Sequence, residues 1–381
     1  MMLMCHPPRV SVCEVVTGVI IDKDEMMLQS GYMNFFNVDK CGLYRIFGQE
    51  PKALELAETF EKLSRWKEGR NFEATNPWDP RRNRNKTPCY WHEFYADPNN
   101  GDYLLVLWKG DSDRHGPLFG ITINPDGSTE KAIKQTETNS KKPMVWGRPC
   151  YYWVIPELNI VASIKFENSR TDSKMFQEWV AGCINLRVEL PGLKKFTTEK
   201  NFVKIEFPDD AEDSYRYSFQ FDMSMKSLAT SSAELGELAK KVTHIVKRET
   251  VSIKAVDKRR GFAKFFKRFE VPFISAEDNS TRQVEIKIEA KPTQAEIKEI
   301  IEEYAEDHEA GTWENTGFSV EGSNRIVWAS KYRLSENISV EDHGEAILSA
   351  RSLYSRILAD RNRYLDPIRK DLKAHQEAAN A

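Results

Sequence analysis

Tyr215-Arg216-Tyr217-Ser218-Phe219-Gln220-Phe221-Asp222 alternates ring and polar side chains without a break. A period of two puts all the rings on one side of a pleated strand and the polar groups on the other, the pattern of an antiparallel sheet with one dry face and one wet one. Phe202–Phe207 alternates just before it, so a half-exposed antiparallel pair is expected. Further along, Val284, Ile286 and Ile288 alternate with Glu285, Lys287 and Glu289. Gly317–Glu321 and Arg325–Tyr332 read as a hairpin around Gly322-Ser323-Asn324.

Upstream, Tyr103–Trp108 is a continuous apolar run, the mark of a central strand, and Leu118–Ile123 is another, closed by the turn Asn124-Pro125-Asp126-Gly127. Tyr151–Ile155 and Ile160–Phe166 form a hairpin across Pro156-Glu157-Leu158-Asn159, and Val10–Val16 reads as a further strand. Helical stripes occur at Ala53–Leu63 and Asp172–Ile184. Ser231-x-x-Glu234 and Thr293-x-x-Glu296 have capping-box spacing and predict helices to about Val246 and His308. Ser339-x-x-Asp342 reads as the cap of a long closing helix over 339–373, which Pro367 should kink or end. The class is α+β: two domains with mostly antiparallel sheets and a long C-terminal helix. Leu190-Pro191-Gly192-Leu193 is the natural boundary, giving an N-terminal domain over 1–189 and a C-terminal one over 190–381.

The 381 residues leave room for two cores, and 40% hydrophobic with 30% charged residues is the composition of a soluble globular protein. No window approaches a membrane span, and Pro7 and Pro8 interrupt the start too early for a secretory signal, so a cytoplasmic location is expected. The six cysteines and seven histidines show no metal-ligand spacing, so reduced thiols and no cofactor are expected.

Charge is distributed unevenly. Residues 240–268 hold eleven Lys and Arg against Glu249 and Asp257, a net +9 in a chain whose total is −3. A block of one sign within a chain of the other is a candidate surface for a polyanion. The candidate nucleic-acid contacts are Lys247, Arg248, Lys254, Lys258, Arg259, Arg260, Lys264, Lys267 and Arg268. Phe262, Phe265, Phe266 and Phe269 fall at i, i+3, i+4 and i+7, one face of a helix. Three readings stay open: the phenylalanines dock on the core and the cations stay in water; the cations of the docked helix contact phosphates; or the phenylalanines enter a membrane interface.

Two weaker patterns remain. In the loop over 71–92, Arg81, Arg82, Arg84 and Lys86 are flanked by Trp78, Tyr90 and Trp91. That is either a stacking platform for single strands or a solvated loop whose rings dock on its own domain. Asp209-Asp210 with Glu285-x-Lys287 or Glu289-x-Lys291 superficially matches the carboxylates and lysine of a metal-dependent nuclease. No phosphate-binding glycine loop or nucleophile elbow is present, and no catalytic residue is assigned.

The order of strand ETVSIKAV, helix GFAKFFKRF, strand QVEIKIEA leading through KPTQAEIKEIIEEY, hairpin GFSVEGSNRIVWASKYRLSE and closing helix resembles the RexA-like phage exclusion proteins. WGRPCYYWVIPELNIVASIKFENSRTDSKMFQEWV is similar to the later part of that family's first domain, and Leu334-Ser335-Glu336 is one shared string. The resemblance implies a cytoplasmic homodimer without catalytic activity. Such a protein binds DNA with little sequence preference and acts in phage exclusion, as an antiviral defence carried by a prophage, beside a membrane-protein partner. The family's basic strand after the acidic-faced helix is replaced here by Phe318-Ser319-Val320-Glu321, so those contacts do not carry over. The alternative class is an interaction protein that senses a phage or host protein with no nucleic acid involved.

Overall fold

The computed structural model describes residues 27–45, 47–79, 83, 86–110, 118–130, 133–134, 143–199, 202–208, 216–226, 229–252, 281–305, 315–323, 325–342 and 347–379. Val10–Val16 lies outside them.

One strand organises the larger part. β1, Met27–Arg45, pairs antiparallel on one side with β7 (Ile160–Phe166) through Gly31–Asn37. On its other side it pairs first with β15 (Ser335–Asp342) and then, past an irregularity between Val38 and Lys40, with β10 (Tyr217–Met225). Around it the described residues form an eleven-stranded sheet in the order β2-β3-β6-β7-β1-β10-β9-β8. Here β2 is Cys89–Ala96, β3 Tyr103–Gly110, β6 Met144–Ile155, β8 Lys194–Thr197 and β9 Val203–Glu206. Two short strands, β4 (Phe119–Thr122) and β5 (Ile133–Lys134), extend the β6 side.

Helices close both faces. α1 (Leu56–Lys67) and α2 (Ser173–Leu186) bury Phe60, Leu63, Phe176, Trp179 and Cys183 against Leu105, Leu107, Tyr152 and Phe219. On the opposite face α5 (Ala350–Ala359) and α6 (Arg361–Ala379) bury Leu353, Tyr354, Ile357, Tyr364 and Ile368 against Phe35, Val106, Trp153 and Ile164. The tyrosine and phenylalanines of β10 face inward and its polar residues outward, as the alternation requires.

A second, four-stranded sheet has the order β12-β11-β13-β14: Thr281–Glu289, Val242–Ser252, Asn315–Val320 and Ile326–Trp328. α3 (Ala229–Lys241) and α4 (Gln294–Ala305) lie on one face, with Leu235, Leu238, Ile297 and Ile301 packed on Val242 and Phe318. This unit is inserted into the larger one. The chain leaves the large sheet at Lys226 and rejoins it at Leu334, and the two crossings touch: Leu334 N–H donates to Lys226 O at 3.0 Å and Lys226 N–H to Phe35 O at 2.7 Å.

Three expectations are corrected. The large sheet runs through Leu190–Leu193, because β8, β9 and β10 lie beyond it, so the chain is not divided into 1–189 and 190–381. The helix expected up to Val246 ends at Lys241, and residues 242–252 form one strand. The closing helix does not start at Ser339: Ile338 and Val340 fill the core at strand spacing from β15, and the N-cap is Ser349, whose side chain accepts from Ser352 N–H at 3.1 Å. The break then falls at Asp360, while Pro367 sits inside α6. The Thr293 box is as expected, with Thr293 N–H donating to Glu296 Oε2 at 2.7 Å and Glu296 N–H to Thr293 Oγ1 at 3.3 Å.

Candidate nucleic-acid interface

The basic stretch begins on β11 and continues past its end. β11 and β12 are antiparallel and in unbroken register from His244↔Glu289 to Ser252↔Thr281. Both roots of segment 253–280 therefore stand side by side at one end of a two-stranded ribbon. Seven of the nine candidate contacts, Lys254, Lys258, Arg259, Arg260, Lys264, Lys267 and Arg268, belong to that segment and lie outside the described residues.

The other two are neighbours on β11 and so point to opposite faces. Lys247 Nζ is 2.7 Å from Glu249 Oε1. Arg248 Nε donates to Glu285 Oε2 at 2.8 Å, and its guanidinium lies over the Trp328 ring at 4.5 Å. The hydrogen bond from Arg248 holds the Glu285 carboxyl below the usual glutamate range, with Lys287 assisting from 3.5 Å. Both cations are thus covered by carboxylates inside their own sheet, and they do not form one basic ridge.

The carboxylate–lysine pattern is taken up in the same way. Glu285 serves Arg248, and Asp209 and Asp210 lie outside the described residues. Among the described residues no group of three or more His, Cys, Asp or Glu is placed to hold a metal ion. Cys41, Cys89, Cys150 and Cys183 are free and buried, and burial pushes the Cys41 thiol up to about 12.

The loop over 71–92 resolves towards its bland reading. Trp78 and Trp91 are buried, and Tyr90 stacks on Phe72 with centroids 4.9 Å apart. Lys86 sits over Trp78 at 5.1 Å and 2.9 Å from Glu178. Those rings dock on their own domain, while Arg81, Arg82 and Arg84 lie outside the described residues.

Pairing also gathers cations that no sequence window could. Lys109 and Arg148 are cross-strand partners, Arg170 is anchored by its N–H to Pro149 O at 2.9 Å, and Lys165 and Arg333 flank the Tyr32 ring at 5.9 and 5.2 Å. Lys109 reaches Asp172, the N-cap of α2, at 2.7 Å. None of the five is free of partners within the protein, so this strip is structural. A second buried network fixes the C-terminal helices. Asp102, fully buried, accepts from Arg361 Nε and Nη2 at 2.8 and 2.9 Å, from Trp153 Nε1 at 3.0 Å and from Tyr354 OH at 3.1 Å.

The molecule is an α+β protein in which a small sheet bearing a basic segment is inserted into a large sheet closed by helices. No family model, no curated protein and no solved structure matches the chain.

Proposed function

We propose that this is a non-enzymatic protein that binds DNA with little sequence preference through residues 254–268, in a phage-exclusion or prophage system. The carrying observation is the pairing of Ser252 with Thr281, which mounts that segment on the end of a ribbon. From Lys254 to Arg268 it holds seven cations and one acid, Asp257. Charge in that amount at the end of paired strands suits contact with sugar–phosphate, which needs position and charge rather than a base-reading motif. The phage-exclusion setting, the cytoplasmic location, the homodimer and a membrane-protein partner rest on the RexA-like resemblance. Among the described residues no helix is long and apolar enough to cross a membrane.

The cover of Glu249 and Glu285 over Lys247 and Arg248 favours the second reading, a sensor of a phage or host protein, since it removes two of the nine candidate contacts. Fluorescence anisotropy of a labelled duplex against salt separates the two. Each phosphate contact adds about 0.9 to the slope of log K on log salt. Replacing Lys258, Arg259, Arg260, Lys264, Lys267 and Arg268 by Gln should flatten the slope by several units. Wild type that fails to bind duplex at low salt would leave the sensor reading standing.

A further inference from the structure

β12 is the outer strand of the small sheet, and among the described residues nothing pairs with its outer side. It runs nine residues, Thr281–Glu289, with no proline, no glycine and no irregularity in its register with β11. Soluble proteins usually blunt such an edge with a bulge, a proline or a very short strand. Ala290 N–H donates to Thr243 O, so even-numbered residues bond to β11. The N–H and C=O groups of Thr281, Gln283, Glu285, Lys287 and Glu289 therefore turn outward. On the helix-covered face the edge is not fully closed: Ile288 is 49% exposed.

We propose that this edge pairs with the same edge of a second copy, antiparallel, about a two-fold axis at Ile286. A two-fold axis perpendicular to the sheet keeps each side chain on its own face, so only centres on a residue are possible. With Ile286 on the axis, Glu285 stands opposite Lys287 of the second copy, and Val284 opposite Ile288. Each pair occurs twice, and the outward backbone groups of Glu285 and Lys287 meet as hydrogen-bonded partners. A centre at Glu285 or Lys287 sets that residue against its own like charge. A centre at Val284 leaves Glu285 opposite Gln283 and Lys287 opposite Thr281, so neither charge meets its opposite. A centre at Ile288 matches Lys287 with Glu289 but overlaps β12 with itself only over 287–289. Charge and length together select Ile286.

One consequence rests on the DNA-binding reading. Thr281 is five residues from the axis, so the two ribbon ends would stand about 34 Å apart along the strands. That is about one turn of duplex DNA, the spacing of paired half-sites.

The test is sedimentation equilibrium of the full chain without nucleic acid, so it is decided independently of DNA binding. Wild type should be dimeric. Lys287→Glu places like charges opposite each other twice and should weaken dimerisation by roughly tenfold or more. Glu285→Lys should do the same. Mixing the two variants restores both pairs across a heterodimer, and association should return, which also shows that each variant is folded. Monomeric wild type, or a dimer as tight in Lys287→Glu as in wild type, would overturn the proposal.

Discussion

The large sheet carries helices on both faces, while among the described residues the small sheet carries α3 and α4 on one face only. The polar groups follow the same division. In the large unit Asp102 satisfies Arg361, Trp153 and Tyr354 deep inside, and Lys226 meets Asp371 at 2.7 Å with both side chains buried. In the small unit the ion pairs are shallow: Lys247–Glu249 and Arg248–Glu285 are each about a quarter exposed. One sheet is a frame whose surfaces are used up in its own packing. The other is an arm that keeps an edge and the end of a ribbon available.

The largest effect should come from breaking the frame. Arg361→Ala leaves Asp102 buried without its main counter-charge and should cost about 3–5 kcal/mol, read from the urea midpoint. The elbow between α5 and α6 should loosen with it, because Tyr354 shares the same carboxylate. A loss under about 1 kcal/mol, the range of an exposed pair, would mean that the network is not the clamp described.

A smaller change separates the two units. Thr293→Ala removes the reciprocal capping of α4 and should cost about 1 kcal/mol. Because α4 covers only the small sheet, amide exchange should quicken in β11 and β13 and stay unchanged in β3 and β6. Equal quickening in both sheets would join frame and arm into a single cooperative unit.

Much of this arrangement was legible in the sequence where one face of an element is wet. Tyr217, Phe219 and Phe221, Val284 and Ile286, and the Thr293 box all declared themselves by period or spacing. β1 did not. Met33, Asn34, Phe35 and Phe36 are all buried, because β1 is packed on both faces, and a strand buried on both sides shows no alternation. Ser339-x-x-Asp342 misled for a related reason: a capping spacing is four residues long and a strand can contain it by chance, whereas Ser349 bears the cap without an acid at the fourth position. The insertion was illegible altogether. Lys226 and Leu334 are joined by pairing to β1 across more than a hundred residues, and no local pattern reports that.

The candidate site shows the same limit in its charges. Lys247 and Arg248 counted fully towards the +9 of 240–268, yet cross-strand and next-but-one neighbours on the ribbon neutralise them. The smallest expected effect follows. Replacing Lys247 and Arg248 together by Gln should leave the salt slope of DNA binding within about half a unit of wild type, since neither contributes a phosphate contact worth about 0.9. Stability should move slightly, because Arg248 also covers Trp328 and Gln does not. If the slope instead falls by about two units, both side chains leave their carboxylates to meet phosphate. The interface would then extend down the ribbon from its end, and the contrast between a closed frame and an open arm would widen to include the arm's own ion pairs.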